Sequence, residues 1–168
     1  MTKYSDIKEW FYTLIEKDED FFNYYEIPIN EALEIAETRS SKYLEEAVCV
    51  IQTECMPQID FSKRIETEEG NGFDFDFSNS EKLLLPMIMY ERYLFRDFSY
   101  LKTYNVNFTS SEIKVFDPSN ARTSFMEMYK SVQEEVAKLK DLYKNSDRLT
   151  GAYRTFDVSQ YDMEAVEI

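Results

Sequence analysis

Residues 118–144, "PSNARTSFMEMYKSVQEEVAKLKDLYK", constrain the fold more than any other stretch. Ala121, Phe125, Met128, Tyr129, Val132, Val136, Leu139 and Tyr143 recur at three- and four-residue intervals. At 100° per residue they form one apolar stripe on a helix, with charged residues on its other faces. Such a helix runs for about 40 Å at 1.5 Å per residue, and its stripe needs cover over most of that length. About three heptads are short for a free coiled coil, so the pattern predicts packing in a bundle. Asp117-Pro118 makes a good start, with Asp as cap and Pro in the first turn. Glu134 and Lys138 form an i, i+4 pair in the favourable order, and Lys138, Lys140 and Lys144 suit the negative end of the helix dipole.

Three upstream segments supply the partners. Ile7, Trp10, Phe11, Leu14 and Ile15 mark a short amphipathic helix with Ser5 as its cap. "DEDFFNYYEIP" follows and reads as a further helical turn ended by Pro28. A second helix is expected from Asn30, as cap, to about Cys55, stopped by Pro57. Its apolar face is Leu33, Ala36, Tyr43, Leu44, Ala47, Val48 and Ile51, while Glu31, Glu34, Glu37, Glu45 and Glu46 fall mostly off it. A third helix is expected over about Ser80–Tyr104, with Pro86 marking a start or a kink. Leu84, Met87, Ile88, Tyr90, Leu94, Phe95, Phe98 and Leu101 make it apolar on most faces, which is the signature of a central helix.

Between the second and third helices the period changes. "RIETEEGNGFDFDF" reads as a hairpin: a strand near Arg64–Thr67, a glycine-containing turn, and a strand at Phe73–Phe77. Period-two alternation puts Phe73, Phe75 and Phe77 on one face and Asp74 and Asp76 on the other. A calcium loop draws several oxygens together around an internal glycine turn. Two aspartates on a straight strand fit an amphipathic strand better, and the phenylalanine face then needs cover from this chain or from a partner. Val106 and Phe108, then Ile113 and Val115, suggest a second hairpin or β-like arm near 105–117. Residues 146–168 lose all periodicity and read as a tail that is either disordered or lies extended on another surface, with Tyr153, Phe156 and Tyr161 as separate anchors that favour docking on a partner. The expected fold is therefore mainly α: a bundle of about four helices in one domain (residues 1–145), with a hairpin near 58–79, the arm, and the extended C-terminal tail.

Composition narrows the function. The 168 residues carry 33 acids and 19 bases, a net charge of −14. Residues 1–80 hold 19 acids and 7 bases, which gives −12. Nucleic-acid binding rests on Lys and Arg neutralising phosphates, so that half would repel DNA. It suits a basic partner or solubility. No stretch of about 18 apolar residues exists to span a membrane, and the acid-rich start "MTKYSDIKEWFYTLIEKDED" does not read as a targeting peptide. A soluble, intracellular protein is expected. Cys49 and Cys55, about 240° apart on one helix, cannot pair there and read as small buried groups in a reducing compartment.

The residues offer little for catalysis. The chain has no histidine, which excludes Ser-His-Asp and Cys-His pairs and imidazole metal ligands. No C-x-x-C and no phosphate-binding glycine loop is present. The apolar "AVCVIQ" setting of Cys49 does not favour a thiolate. With so many acids, any pair of carboxylates is uninformative. The chain reads as non-enzymatic, without a cofactor or metal.

The order of elements then carries a resemblance. A helical N-terminal region, a mid-chain hairpin and the aromatic central helix "LLLPMIMYERYLFRDF" are followed by the arm "NVNFTSSEIKVF". A long charged helix and a tail complete the order. Over roughly residues 30–160 this layout resembles the head–tail connector, or neck adaptor, proteins of tailed bacteriophages. The resemblance implies a virion protein made in the host cytoplasm. It would form a homo-oligomeric ring docked under the portal and against other neck or tail proteins, around the channel through which DNA passes. It transfers no functional residue. Under it, Phe73, Phe75, Phe77, Val106, Phe108, Ile113, Val115, Tyr153, Phe156 and Tyr161 are the expected interface residues. The rival expectation is an acidic regulatory binder, a DNA mimic or inhibitor seated in the basic groove of a nucleic-acid enzyme.

Overall fold

The computed structural model describes residues 1–15, 27–67, 70–104 and 118–154. These form β1 (Thr2–Lys3), α1 (Tyr4–Leu14), α2 (Ile29–Val50), β2 (Arg64–Thr67), β3 (Gly70–Phe73), α3 (Asn79–Tyr104) and α4 (Pro118–Asn145). The fold is mainly α, four helices and a small sheet, as the stripes require. The aromatic cluster after α1, the arm near 105–117 and the tail beyond Arg154 lie outside the described residues.

Helix α3 is central, and α1, α2 and α4 all pack on it. Leu84, Leu85, Ile88 and Met89 are fully buried, and Tyr93 and Leu94 nearly so. Phe95, expected inside, is half exposed. The helix runs on through Pro86 from a start at Asn79. Pro86 lies past the four unpartnered amides of the first turn, so the helix forgoes one interior bond there, the one to the Lys82 carbonyl. Helix α4 runs antiparallel to α3: Tyr143 meets Glu81 at one end, and the Phe95 and Tyr129 rings lie 6.4 Å apart further along. Of the α4 stripe, Tyr129, Val136 and Tyr143 are buried, while Met128 remains exposed.

Helix α2 begins at Ile29 with Pro28 at its cap, so Asn30 lies inside the first turn and caps nothing. Likewise α1 springs directly from β1 with Lys3 at its cap, and Ser5 falls within the helix. Helix α2 continues into one wider turn, Ile51–Cys55, whose end Met56 sits in the left-handed region (φ 46°) just before Pro57. Ala36, Tyr43, Leu44, Ala47, Val48 and Ile51 are buried as their stripe demands. Leu33 is not: α1 crosses α2 near Glu37–Tyr43, and Leu33 lies a turn before that crossing. Cys55 is buried, but Cys49 is exposed, because it lies about 200° round the helix from buried Ala47. At the centre, the Phe11, Tyr43 and Tyr93 rings meet in pairs, the widest 6.3 Å apart.

The sheet has the order β1-β3-β2, all antiparallel. Arg64 pairs with Phe73 and Thr67 with Gly70. The second strand is thus "GNGF", earlier than the expected Phe73–Phe77, and the glycines belong to the strand rather than the turn. Gly72 has a packing reason. A Cβ there would sit 2.5 Å from the Thr2 carbonyl oxygen, so β1 can pair with β3 only across a glycine.

Candidate functional site

The phenylalanine face is covered by this chain. Phe73 and Phe77 are buried and Phe75 is half-buried. The cover is Phe61, 0% exposed, whose ring stands edge-on to all three at 5.4–5.8 Å. Beyond Phe73 the chain is held to β1: the Thr2 amide donates to the Phe75 carbonyl (3.0 Å), and the Phe77 amide donates to the Thr2 hydroxyl (2.9 Å). Asp74 and Asp76 point outward. Asp76 pairs with the Met1 amine, which holds its carboxyl below the usual range. Among the described residues no three acids or cysteines gather into a metal-holding group. Val106, Phe108, Ile113, Val115, Phe156 and Tyr161 lie outside the described residues.

A cleft of about 720 Å³ opens between α1, α2 and the hairpin. Its polar floor is a closed network. Buried Lys8 donates to the Glu37 carboxylate and to Ser41 Oγ (2.7 Å), while Tyr12 OH meets Glu37 Oε2 (3.2 Å) and Ser40 Oγ (2.9 Å). Burial pushes the Tyr12 phenol up, so it stays a neutral hydroxyl. These groups satisfy one another and pin α1 to α2.

The most elaborate cluster lies at the opposite ends of α3 and α4. Ser78 and Glu81 form a capping box at the start of α3: the Ser78 amide donates to Glu81 Oε2 (2.7 Å), and the Glu81 amide donates to Ser78 Oγ (3.3 Å). Glu81 is 0% exposed and carries two further donors. Tyr143 OH donates to Oε1 (2.9 Å), and Arg148 spans the carboxylate, Nε to Oε1 (2.7 Å) and Nη2 to Oε2 (3.0 Å). The same Nη2 also donates to the Asp76 carbonyl, and the guanidinium carbon lies 5.6 Å from the Phe75 ring centre. Burial, then the facing Glu81 carboxylate, push the Tyr143 phenol far above its ordinary value.

Arg148 comes from residues 146–154, which open the stretch read as a tail but fold back as a compact strap. Ser146 bridges to Tyr153, Asp147 accepts from the Leu149 and Thr150 amides (3.1 and 2.9 Å), and Gly151 supplies φ +68°. The strap points Leu149 (84% exposed) and Tyr153 (69%) outward. It also abuts the loop after α2, since the Arg148 amide donates to Gln58 Oε1 (3.0 Å). Met56, in that loop, is 84% exposed. The sequence does carry the S-x-x-E signal of the capping box. Nothing local to "SDRLTG" points to Glu81, 67 residues away.

No family model matches the chain, and it matches neither a curated protein nor a solved structure. Among the described residues, no helix is long and apolar enough to cross a membrane.

Proposed function

We propose that this chain is a non-enzymatic assembly subunit, a head–tail connector of a tailed bacteriophage that forms a ring under the portal around the DNA channel. The observation that carries the reading is the strap. A clamped turn after the last helix fixes where the C-terminal segment leaves the body and, while Arg148 is seated, holds Leu149 and Tyr153 in solvent on an ordered frame. Exposed apolar side chains on an ordered support favour contact with another protein. The acidic outer side of α2, with Glu31, Glu34, Glu45 and Glu46 all exposed, suits a lumen past which DNA slides without sticking.

The test is mass by light scattering over a range of protein and salt concentrations, alone and with the portal of the same phage. Ring-sized particles from the wild type, lost in Leu149→Asp/Tyr153→Asp while helicity is kept, are the expected result. A chain that stays monomeric alone and with the portal would overturn the reading. Capture of a basic nucleic-acid enzyme through the α2 carboxylates would then favour the acidic binder.

A further inference from the structure

We infer that Glu81, Tyr143, Phe75 and the Asp76 carbonyl form a preorganised guanidinium seat, separate from the strap that fills it, so that Arg148 is a withdrawable plug and another arginine can take its place. Every group that touches the guanidinium comes from outside the strap: Glu81 from α3, Tyr143 from α4, and Phe75 and Asp76 from the segment after β3. Each of these is fixed by its own contacts. The Ser78 amide orients the Glu81 carboxylate, Tyr143 is packed in the core, and Phe75 is stacked on Phe77 and held through its carbonyl by Thr2. The seat has the chemistry that selects arginine over lysine. A flat carboxylate takes two parallel N–H donors, a carbonyl takes a third, and an aromatic face lies beside the planar cation.

The strap is tied down by little else. Asp147 to Ala152, Gly151 to Asp147 and the three bonds to the Asp147 carboxylate all close within it. Among the described residues, its bonds to the rest of the chain besides those of the Arg148 side chain are Arg148 to Gln58, Arg154 to Asn145 and Ser146 to Leu142. Two of these three reach only the end of α4, from which the strap hangs. Withdrawal therefore costs chiefly the arginine contacts, and it leaves the Glu81 carboxylate without its cation. The drive to refill the seat is the regain of these charge-assisted bonds, since Glu81 is shut off from water only while Arg148 covers it. The inference does not depend on the connector reading.

The first experiment is rescue. Arg148→Ala should melt well below wild type, and N-acetyl-arginine amide should restore at least half of the loss. Lysine amide and sodium chloride at matched ionic strength should restore little. The double variant Glu81→Gln/Arg148→Ala should show no arginine-specific recovery. Equal recovery with lysine amide, or recovery that persists in the double variant, would overturn the seat. If Arg148→Ala does not fold, competition on the wild type decides. The tether holds Arg148 at an effective concentration of order millimolar or more, so ~10–100 mM N-acetyl-arginine amide should compete with it. Amide exchange over 147–154 should then quicken roughly tenfold while α3 and α4 stay protected. Strap exchange that is unchanged, or that rises together with the helices, would show that the pair is part of the core and not a plug.

Discussion

Phe61→Ala is the most direct test of how the Phe-Asp segment is covered. The Phe61 ring is fully buried and meets Phe73, Phe75 and Phe77 edge-on, with centroids 5.8, 5.4 and 5.8 Å away. Truncating a core phenylalanine to alanine costs about 3–5 kcal/mol, from lost transfer energy and the cavity left behind. The site has little freedom to collapse, because Thr2 pins the Phe75 carbonyl and the Phe77 amide. The upper half of that range is therefore expected. At about 2–4 °C per kcal/mol for a chain of this size, the melting temperature should fall by about 10 °C or more. Urea unfolding followed by far-UV circular dichroism measures the free energy directly. Phe61→Leu should lose much less, since it keeps most of the volume. A loss below about 1 kcal/mol for Phe61→Ala would refute the reasoning. The phenylalanine face would then have some other cover, and a partner would return as the candidate.

Gly72→Ala should cost about 1–3 kcal/mol through overpacking, because the new methyl meets the Thr2 carbonyl oxygen at 2.5 Å. Amide exchange should show β1 detaching from β3 while β2 keeps its pairing. Tyr143→Phe should lose about 1.5–3 kcal/mol, the value of a bond to a charged acceptor, since Glu81 loses a donor it cannot replace from water. It should also change the alkaline limb. The Tyr143 pKa is raised in the fold, so its contribution is complete below the unfolded value of about 10 and drains away as pH rises beyond it. Urea titrations between pH 9 and pH 11, roughly, should show a shallower decline in the variant than in wild type. A thiol reagent should label exposed Cys49 at once and Cys55 only on unfolding, since burial both hides the Cys55 thiol and pushes its pKa up. Equal labelling of the two in the folded chain would contradict the described path of α2.

The helices were legible because their stripes are long. Ile7 and Phe11, Ala36 to Ile51, Leu84 to Leu94, and Val136 with Tyr143 all face inward where period 3.6 puts them. The stripe fails at its flanks and where its partner ends: Leu14, beside buried Phe11 and Ile15, and Met128, beside buried Tyr129, are exposed at the edge of the stripe, and Leu33 lies before the α1 crossing. Pattern records which face of a helix is apolar, not how far the neighbouring helix reaches. The hairpin slipped for another reason. Gly70 and Gly72 look like turn residues, yet Gly72 is demanded by a strand from the chain's first residues, a contact no local window contains. Caps were misread similarly, because Ser5 and Asn30 have capping chemistry but β1 and Pro28 already set the helix starts. The guanidinium cluster was invisible because each member is ordinary in its own neighbourhood. Only the antiparallel run of α3 and α4 brings Glu81, Tyr143 and the strap together.

The pairing of Thr2 with Phe73 also sets a clock. The first strand cannot settle until ~70 more residues exist, and α1 cannot cover Ile7 and Phe11 until α3 has been made. At about 5–20 residues per second, a ribosome leaves that apolar N-terminal face waiting for several seconds. Slow codons or a pause between β3 and α3 would lengthen the wait, and the yield of soluble protein should drop more sharply for a pause there than for one placed after α4.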